Sequence, residues 1–334
     1  MKRKLISAIL CAAMTASLLV GCGSSSNETA APADDAAPAT EAEAPADDAA
    51  PADDAAAPAG DIDKSGITIG VAMPTKDLQR WNQDGDNMKS QLEAAGYQVD
   101  LQYASNDVAT QVSQIENMIS NGDNLLVIAS IDGSALGSVL EQAKAANIPV
   151  IAYDRLIKNT DACSYYCSFD NYKVGVTQGQ YVVDTLDLEN AEGPFNIEFC
   201  AGDPGDNNAI LFFDGAMDTL KPYIDAGKLV IKSGQDEFAD VATAGWSTET
   251  CQSRVQTIIS SYYADGTKLD AVVCSNDSTA LGACNAIDSD YSGDQPIVTG
   301  QDCDIANIAN LVSGKQSMSI YKDTRELAAK CVAM

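Results

Sequence analysis

From residue 66 onward, short apolar runs alternate with stretches whose apolar residues recur at helical spacing. Ile67–Thr68–Ile69–Gly70–Val71–Ala72 predicts a first strand, and Arg80 to Ala95 a helix closed by Gly96. Val99 to Tyr103 predicts a second strand. Val108 to Asn121 predicts a helix with Val112, Ile115, Met118 and Ile119 on its apolar face. Leu125 to Ala129 predicts a third strand, followed by a helix to about Ala146. Ile148 to Ala152 then predicts a fourth, which runs into Tyr153, Asp154 and Arg155. Continuous runs of this kind suit the strands of a parallel sheet, buried on both faces.

After Tyr165 to Asp170 the cycle begins again. Helices are predicted over Val174–Asp184, Asn207–Leu220, Thr248–Tyr262 and Ser278–Ile287. Strands are predicted over Phe195–Phe199, Leu229–Ile231, Leu269–Cys274 and Ile297–Gly300. A repeated βα pattern implies doubly wound parallel sheets with right-handed crossovers. Two successive cycles imply two similar α/β lobes with a cleft between them.

The N-terminus does not share this pattern. Lys2, Arg3 and Lys4 precede an apolar stretch from Leu5 to Val20, which reads as an export signal. Residues 23 to about 63 are mostly Ala, Pro, Ser, Asp and Glu, with Ala-Pro-Ala-Asp-Asp at Ala31–Asp35, Ala44–Asp48 and Ala50–Asp54. Such a stretch has too little apolar surface to offset its ordering entropy and predicts a disordered tether. Overall, 48 acidic residues oppose 20 basic ones, a formal net charge of −28. That balance argues against nucleic acid and anionic lipid as partners.

Eight cysteines fall after the tether: Cys163, Cys167, Cys200, Cys251, Cys274, Cys284, Cys303 and Cys331. There is no histidine and no Cys-x-x-Cys, so neither a zinc site nor another metal site is expected. Cys163 and Cys167 are close enough in sequence to bridge. Cys200, Cys274 and Cys331 lie in apolar runs, where free cysteine packs as a small hydrophobe.

In open α/β sheets, ligands sit beyond the carboxyl ends of the strands, and here each strand end is followed by polar residues. Lys76, Arg80 and Trp81 follow the first strand, and Asp154 and Arg155 the fourth. Asp203, Asp206, Asn207 and Asn208 follow Phe195–Phe199, while Asn276 and Asp277 follow the run ending at Cys274. Gln301 and Asp302 follow Gly300, and Lys322 follows Met318–Tyr321. Acceptors, amides and cations, with the chain's two tryptophans Trp81 and Trp246, suit a sugar. Its hydroxyls both donate and accept, and its C–H faces stack on indole. An Asp154–Arg155 pair that merely caps a strand, or solvated loop groups, would read the same residue by residue. Their shared position at strand ends favours a site.

These residues sit in motifs that resemble the exported monosaccharide-binding proteins of ABC transporters, above all the xylose-binding and multiple-sugar-binding receptors. The resemblance runs from about Ile67 to Met334. It is carried by Met73-Pro-Thr-Lys-Asp-Leu-Gln-Arg-Trp81, Ser113–Met118, Ala152-Tyr-Asp-Arg-Leu156, Phe169-Asp-Asn171 and Asp206-Asn-Asn-Ala209. Asp214–Met217, Ser275-Asn-Asp277, Gly300-Gln-Asp302 and Tyr321-Lys322 extend it. Leu19-Val-Gly-Cys22 resembles a lipobox, which implies lipidation at Cys22.

The resemblance implies a type I periplasmic-binding fold closing on one aldopyranose such as xylose, glucose, galactose or arabinose. First-lobe ligands would be Lys76, Arg80, Trp81, Asp154 and Arg155. Second-lobe ligands would be Asp206, Asn208, Trp246 and Asn276, with Asp302 and Lys322 at or beyond the returning hinge. Residues 64–171 and 300–334 would form the first lobe and 172–299 the second, with crossovers near Phe169–Lys173 and Thr299–Asp302. The family continues beyond the helix that begins near Thr324, so a final second-lobe segment is expected that residues up to Met334 do not supply. The implied role is a monomeric, membrane-anchored receptor without a cofactor that delivers sugar to ABC permease subunits. The alternative is a sensor that presents its closed form to a chemotaxis or kinase receptor.

Other readings fare worse. A glycosidase using Asp154 and Asp302 would need a raised carboxyl pKa, whereas an adjacent arginine lowers it. A transcriptional regulator with the same core would carry a helix-turn-helix where this chain has a signal and tether. Asp288 to Asp294 has calcium-loop spacing, but Thr299 stands where a bidentate glutamate belongs.

Overall fold

The computed structural model describes residues 63–334; the expected export signal, Cys22 and the expected tether, up to residue 62, lie outside the described residues. The first sheet is built from β1 (Thr68–Met73), β2 (Gln98–Tyr103), β3 (Leu125–Ile128), β4 (Val150–Tyr153) and β5 (Tyr165–Cys167). They lie in the order β2-β1-β3-β4-β5, all parallel. Alternation along β1 divides the core. Ile69, Val71 and Met73 pack with Val127, Ile151 and Tyr153 beneath α1 (Gln79–Ala94). Ala72, Ile128 and Ala152 face the opposite way, onto α2 (Val108–Asn121) and α3 (Gly137–Ala145). Cys163 packs with that second group and Cys167 with the first, so the two thiols serve opposite faces of the sheet.

After α4 (Asn171–Thr185) the pattern repeats. The second sheet, β7-β6-β8-β9, contains β6 (Phe195–Cys200), β7 (Leu229–Ile231), β8 (Ala271–Cys274) and β9 (Ile297–Val298), again parallel. One face lies against α4 and α5 (Asn207–Asp225). A one-turn helix, α6 (Phe238–Val241), precedes the elements of the other face. That face lies against α7 (Thr248–Ile258), continued as a π-turn over Ile259–Tyr263, and α8 (Asp277–Asp290). In both sheets the chain's second strand lies outside its first and the third lies on the other side. This places a switch point between β1 and β3 and another between β6 and β8, where ligand crevices form.

Residues 168–170 lead from β5 into α4. The return does not fall at Thr299–Asp302, and residues 300–320 do not join the first sheet. Ser317 N donates to Val298 O, Ile320 N to Gly300 O, and Asp302 N to Ile320 O. This segment, with α9 (Ile308–Ser313), is therefore held at the edge of the second sheet by backbone hydrogen bonds. Only beyond Tyr321 does α10 (Thr324–Val332) lay Leu327, Ala328 and Cys331 against the first core.

Candidate functional site

Arg80, Trp81, Asp154, Arg155, Asp206, Asn208, Trp246, Asn276, Asp302 and Lys322 converge on one cleft, joined by Leu78, Phe212, Ser278, Gln301 and Asp304. Lys76 is not among them. It lies before α1 begins and is exposed; its Nζ sits 4.8 Å from the Tyr103 ring centroid, over β2.

Each strand-end group is held by its own backbone. Arg80 and Asp84 are one turn apart on α1, and Arg80 Nε donates to Asp84 Oδ2 at 3.1 Å. Arg80 Nη2 also donates to Asp154 Oδ2, and Tyr153 Oη donates to Asp84 Oδ1. Asp154 turns sharply after β4 with φ 60°, a conformation that costs a non-glycine residue of order 1–3 kcal/mol. Its carbonyl accepts from Ser168 Oγ at 2.6 Å and Asn208 Nδ2 at 3.1 Å. Trp246 (φ 57°) and Asp302 (φ 95°) are likewise held at positive φ. Asp206 and Asn276 are N-caps of α5 and α8, and Asn276 forms a capping box with Thr279. Their burial is therefore tied to helix starts that lie at the switch point.

The two halves meet across this cleft. Arg155 Nε lies 2.9 Å from Asp206 Oδ2, and Asn208 Nδ2 reaches Asp154 Oδ1 at 3.3 Å. The guanidinium carbons of Arg80 and Arg155 lie 4.8 Å and 4.9 Å from the Trp81 ring centroid. Trp246 meets Phe212 edge-on, with centroids 6.2 Å apart. Behind it Gly202 is obligatory, because a Cβ there would come within 2.0 Å of the indole. Lys322 Nζ stands 3.5 Å from Asp302 Oδ1 and 5.2 Å from the Phe212 ring centroid.

The charges are unevenly balanced. Burial works against the Asp154 carboxylate, yet Arg80, Lys322 and Arg155 together hold it below the usual range. Burial raises Asp206, reinforced by Asp154, in spite of Arg155. Burial also lifts Asp84 to about 6, against the pull of Arg80. Four buried polar atoms in the wall have neither a hydrogen-bond nor an ion-pair partner: Asn208 Oδ1, Trp246 Nε1, Gln301 Oε1 and Asp304 Oδ1. An unmatched buried polar atom costs about 1–3 kcal/mol. Four in one cleft leave donors and acceptors open to a polar ligand.

Asp304 is absent from the strand-end reading because two residues of positive-φ backbone, Asp302 and Cys303, separate it from the strand-end position. Phe212 was hidden as an ordinary apolar residue of α5. The Ser278 signal lay one residue past the Asn276-Asp277 motif.

A periplasmic binding protein domain model matches residues 69–334. The multiple sugar-binding periplasmic receptor ChvE of Rhizobium radiobacter is 50% identical over 271 residues, covering 80% of this chain and 76% of the relative. The D-xylose-binding periplasmic protein of Escherichia coli is 39% identical over 262 residues, covering 78% and 74%. Among solved structures, an ABC transporter solute binding protein from Clostridium phytofermentans with bound β-D-glucose is 70% identical. It superposes with a TM-score of 0.79, over 80% of this chain and 82% of that one. These relatives bind solutes and are not enzymes, in keeping with a carboxylate, Asp154, that is committed to cations. The chain belongs to the periplasmic binding protein domain family.

Proposed function

We propose that the cleft captures a neutral aldopyranose, with glucose the first candidate, and that the lobes close on it for delivery to an ABC permease. The observation that carries this reading is the set of unmatched buried acceptors and donors of the second half that share the cleft with Arg80, Trp81, Asp154 and Arg155 of the first. The 70% identical protein with bound β-D-glucose supports the choice of sugar. Cys22 is the proposed lipid anchor and the acidic stretch behind it the tether.

Calorimetry of the purified protein against D-glucose, D-xylose, D-galactose, L-arabinose and their uronates tests the reading. We expect saturable one-to-one binding of at least one neutral aldose. Absence of heat and of thermal stabilisation across the whole panel overturns it.

A further inference from the structure

We propose that Asp304 is a further specificity-determining residue of the cleft: its enclosed carboxylate accepts a hydrogen bond from a hydroxyl of the neutral sugar, and capture of the sugar releases a proton from it. The inference deepens the sugar-binding reading and rests on it.

Asp304 is 8% exposed and lines the cleft, and its Oδ1 is enclosed without any partner. Its backbone is fixed, because Asp304 N donates to Asp277 Oδ2 at 2.8 Å and the next amide, Ile305 N, donates to Gln79 Oε1 at 2.9 Å. Asp277, at the start of α8, is itself saturated: its Oδ1 takes Gln316 Nε2 and Ser319 Oγ, each at 2.8 Å. Asp277 is thus a brace for the loop, while Asp304 presents the unused oxygen.

The charged groups facing Asp304 are Asp302 on its own loop, Asp277 on α8 and Arg80 on α1. Arg80 is already engaged by Asp84 and Asp154, and Lys322 is drawn to Asp302. Burial first, then Asp302 and Asp277, against Arg80, lift Asp304 to about 7. In the ligand-free protein the carboxyl therefore keeps its proton below neutrality. A sugar hydroxyl donates more strongly to the ionised carboxylate than to the neutral acid, so binding favours ionisation and the proton passes to solvent.

The test is calorimetry of D-glucose and the other neutral aldoses between pH 6 and pH 8, in buffers of differing ionisation enthalpy. Affinity should rise about tenfold across that range, with proton release seen as a buffer-dependent heat near pH 6. Asp304→Asn should flatten the pH profile and bind at least tenfold more weakly at pH 8. Asp304→Ser serves as the second variant, with thermal melts confirming that each is folded. A flat wild-type profile, or a variant that keeps the wild-type slope, overturns the inference and leaves the sugar reading intact. If no aldose binds at any pH, both fall.

Discussion

At the scale of single residues, the cleft depends on groups that are costly to hold without their partners. Asp154 is 1% exposed, sits at positive φ, and takes Arg80 on its carboxylate and Asn208 from the opposite half. Arg155 spans the same gap to Asp206 and donates to Ser130 O at 3.0 Å. Asp154→Ala or Arg155→Ala should therefore weaken sugar binding by roughly 2–4 kcal/mol, read by calorimetry, since each removes a charged hydrogen-bonding group from a buried network. A folded variant that binds as the wild type does would falsify the assignment and leave the pair as a strand cap. Lys76→Ala, by contrast, should leave affinity unchanged in the same titration, because that side chain rests on Tyr103 at the surface. The strand-end rule could find Asp154 and Arg155 because they directly follow β4. It could not exclude Lys76, since only the start of α1 at Gln79 determines which way residues ahead of it turn.

At the scale of elements, α4 and α5 are packed backbone to backbone. A Cβ on Gly175 would lie 2.0 Å from Phe212 O, and one on Gly215 would lie 2.2 Å from Tyr172 O. No side chain can retreat from a carbonyl oxygen, so the helices themselves would have to part. Gly215→Val should cost roughly 1–3 kcal/mol or more in urea unfolding, the penalty of overpacking. It should also disturb the cleft, because α5 carries Asn208 and Phe212. The helices and central strands were legible from periodicity and their apolar runs. Shorter pieces were not, among them a strand and the return segment. Tyr165–Cys167 pairs as β5 on the edge of the first sheet although it is only three residues long and has two exposed tyrosines. The return segment 300–320 is held by backbone bonds that join Ile320 to Gly300 and Asp302, and Ser317 to Val298, which leave no trace in hydrophobic pattern.

At the scale of the whole molecule, buried carboxyls set a pH dependence. Asp84, Asp123 and Asp277 are pushed up to about 6, and Asp304 to about 7, chiefly by burial. Each binds its proton more tightly when folded than when unfolded, where carboxyls titrate near 4. Their contribution to stability is complete below that value and is lost as pH rises through 6 to 7. The melting temperature of the ligand-free protein should accordingly fall between pH 5 and pH 8 in scanning calorimetry. Asp304→Asn should be more stable than wild type at pH 8 by up to a few kcal/mol, and equal to it near pH 4. Ligand acts in the opposite direction: sugar at about one hundred times its dissociation constant should add about 2.7 kcal/mol.

The sequence by itself determined the alternation of strands and helices, the repetition of that unit, and which polar residues stand at strand ends. Each of these follows from local periodicity and chain order. Tertiary structure alone decided which of those polar residues share a cavity, and that Lys76 stays outside it. It also decided that the chain returns to the first core after Tyr321 rather than after Thr299. Most tellingly, it left Asp304 with an unpaired oxygen and a proton held to about 7. The physical reason is that burial and charge are set by neighbours distant in sequence. Asp304 takes its character from Asp277 on one half and Arg80 on the other, and no local pattern along the chain records that meeting.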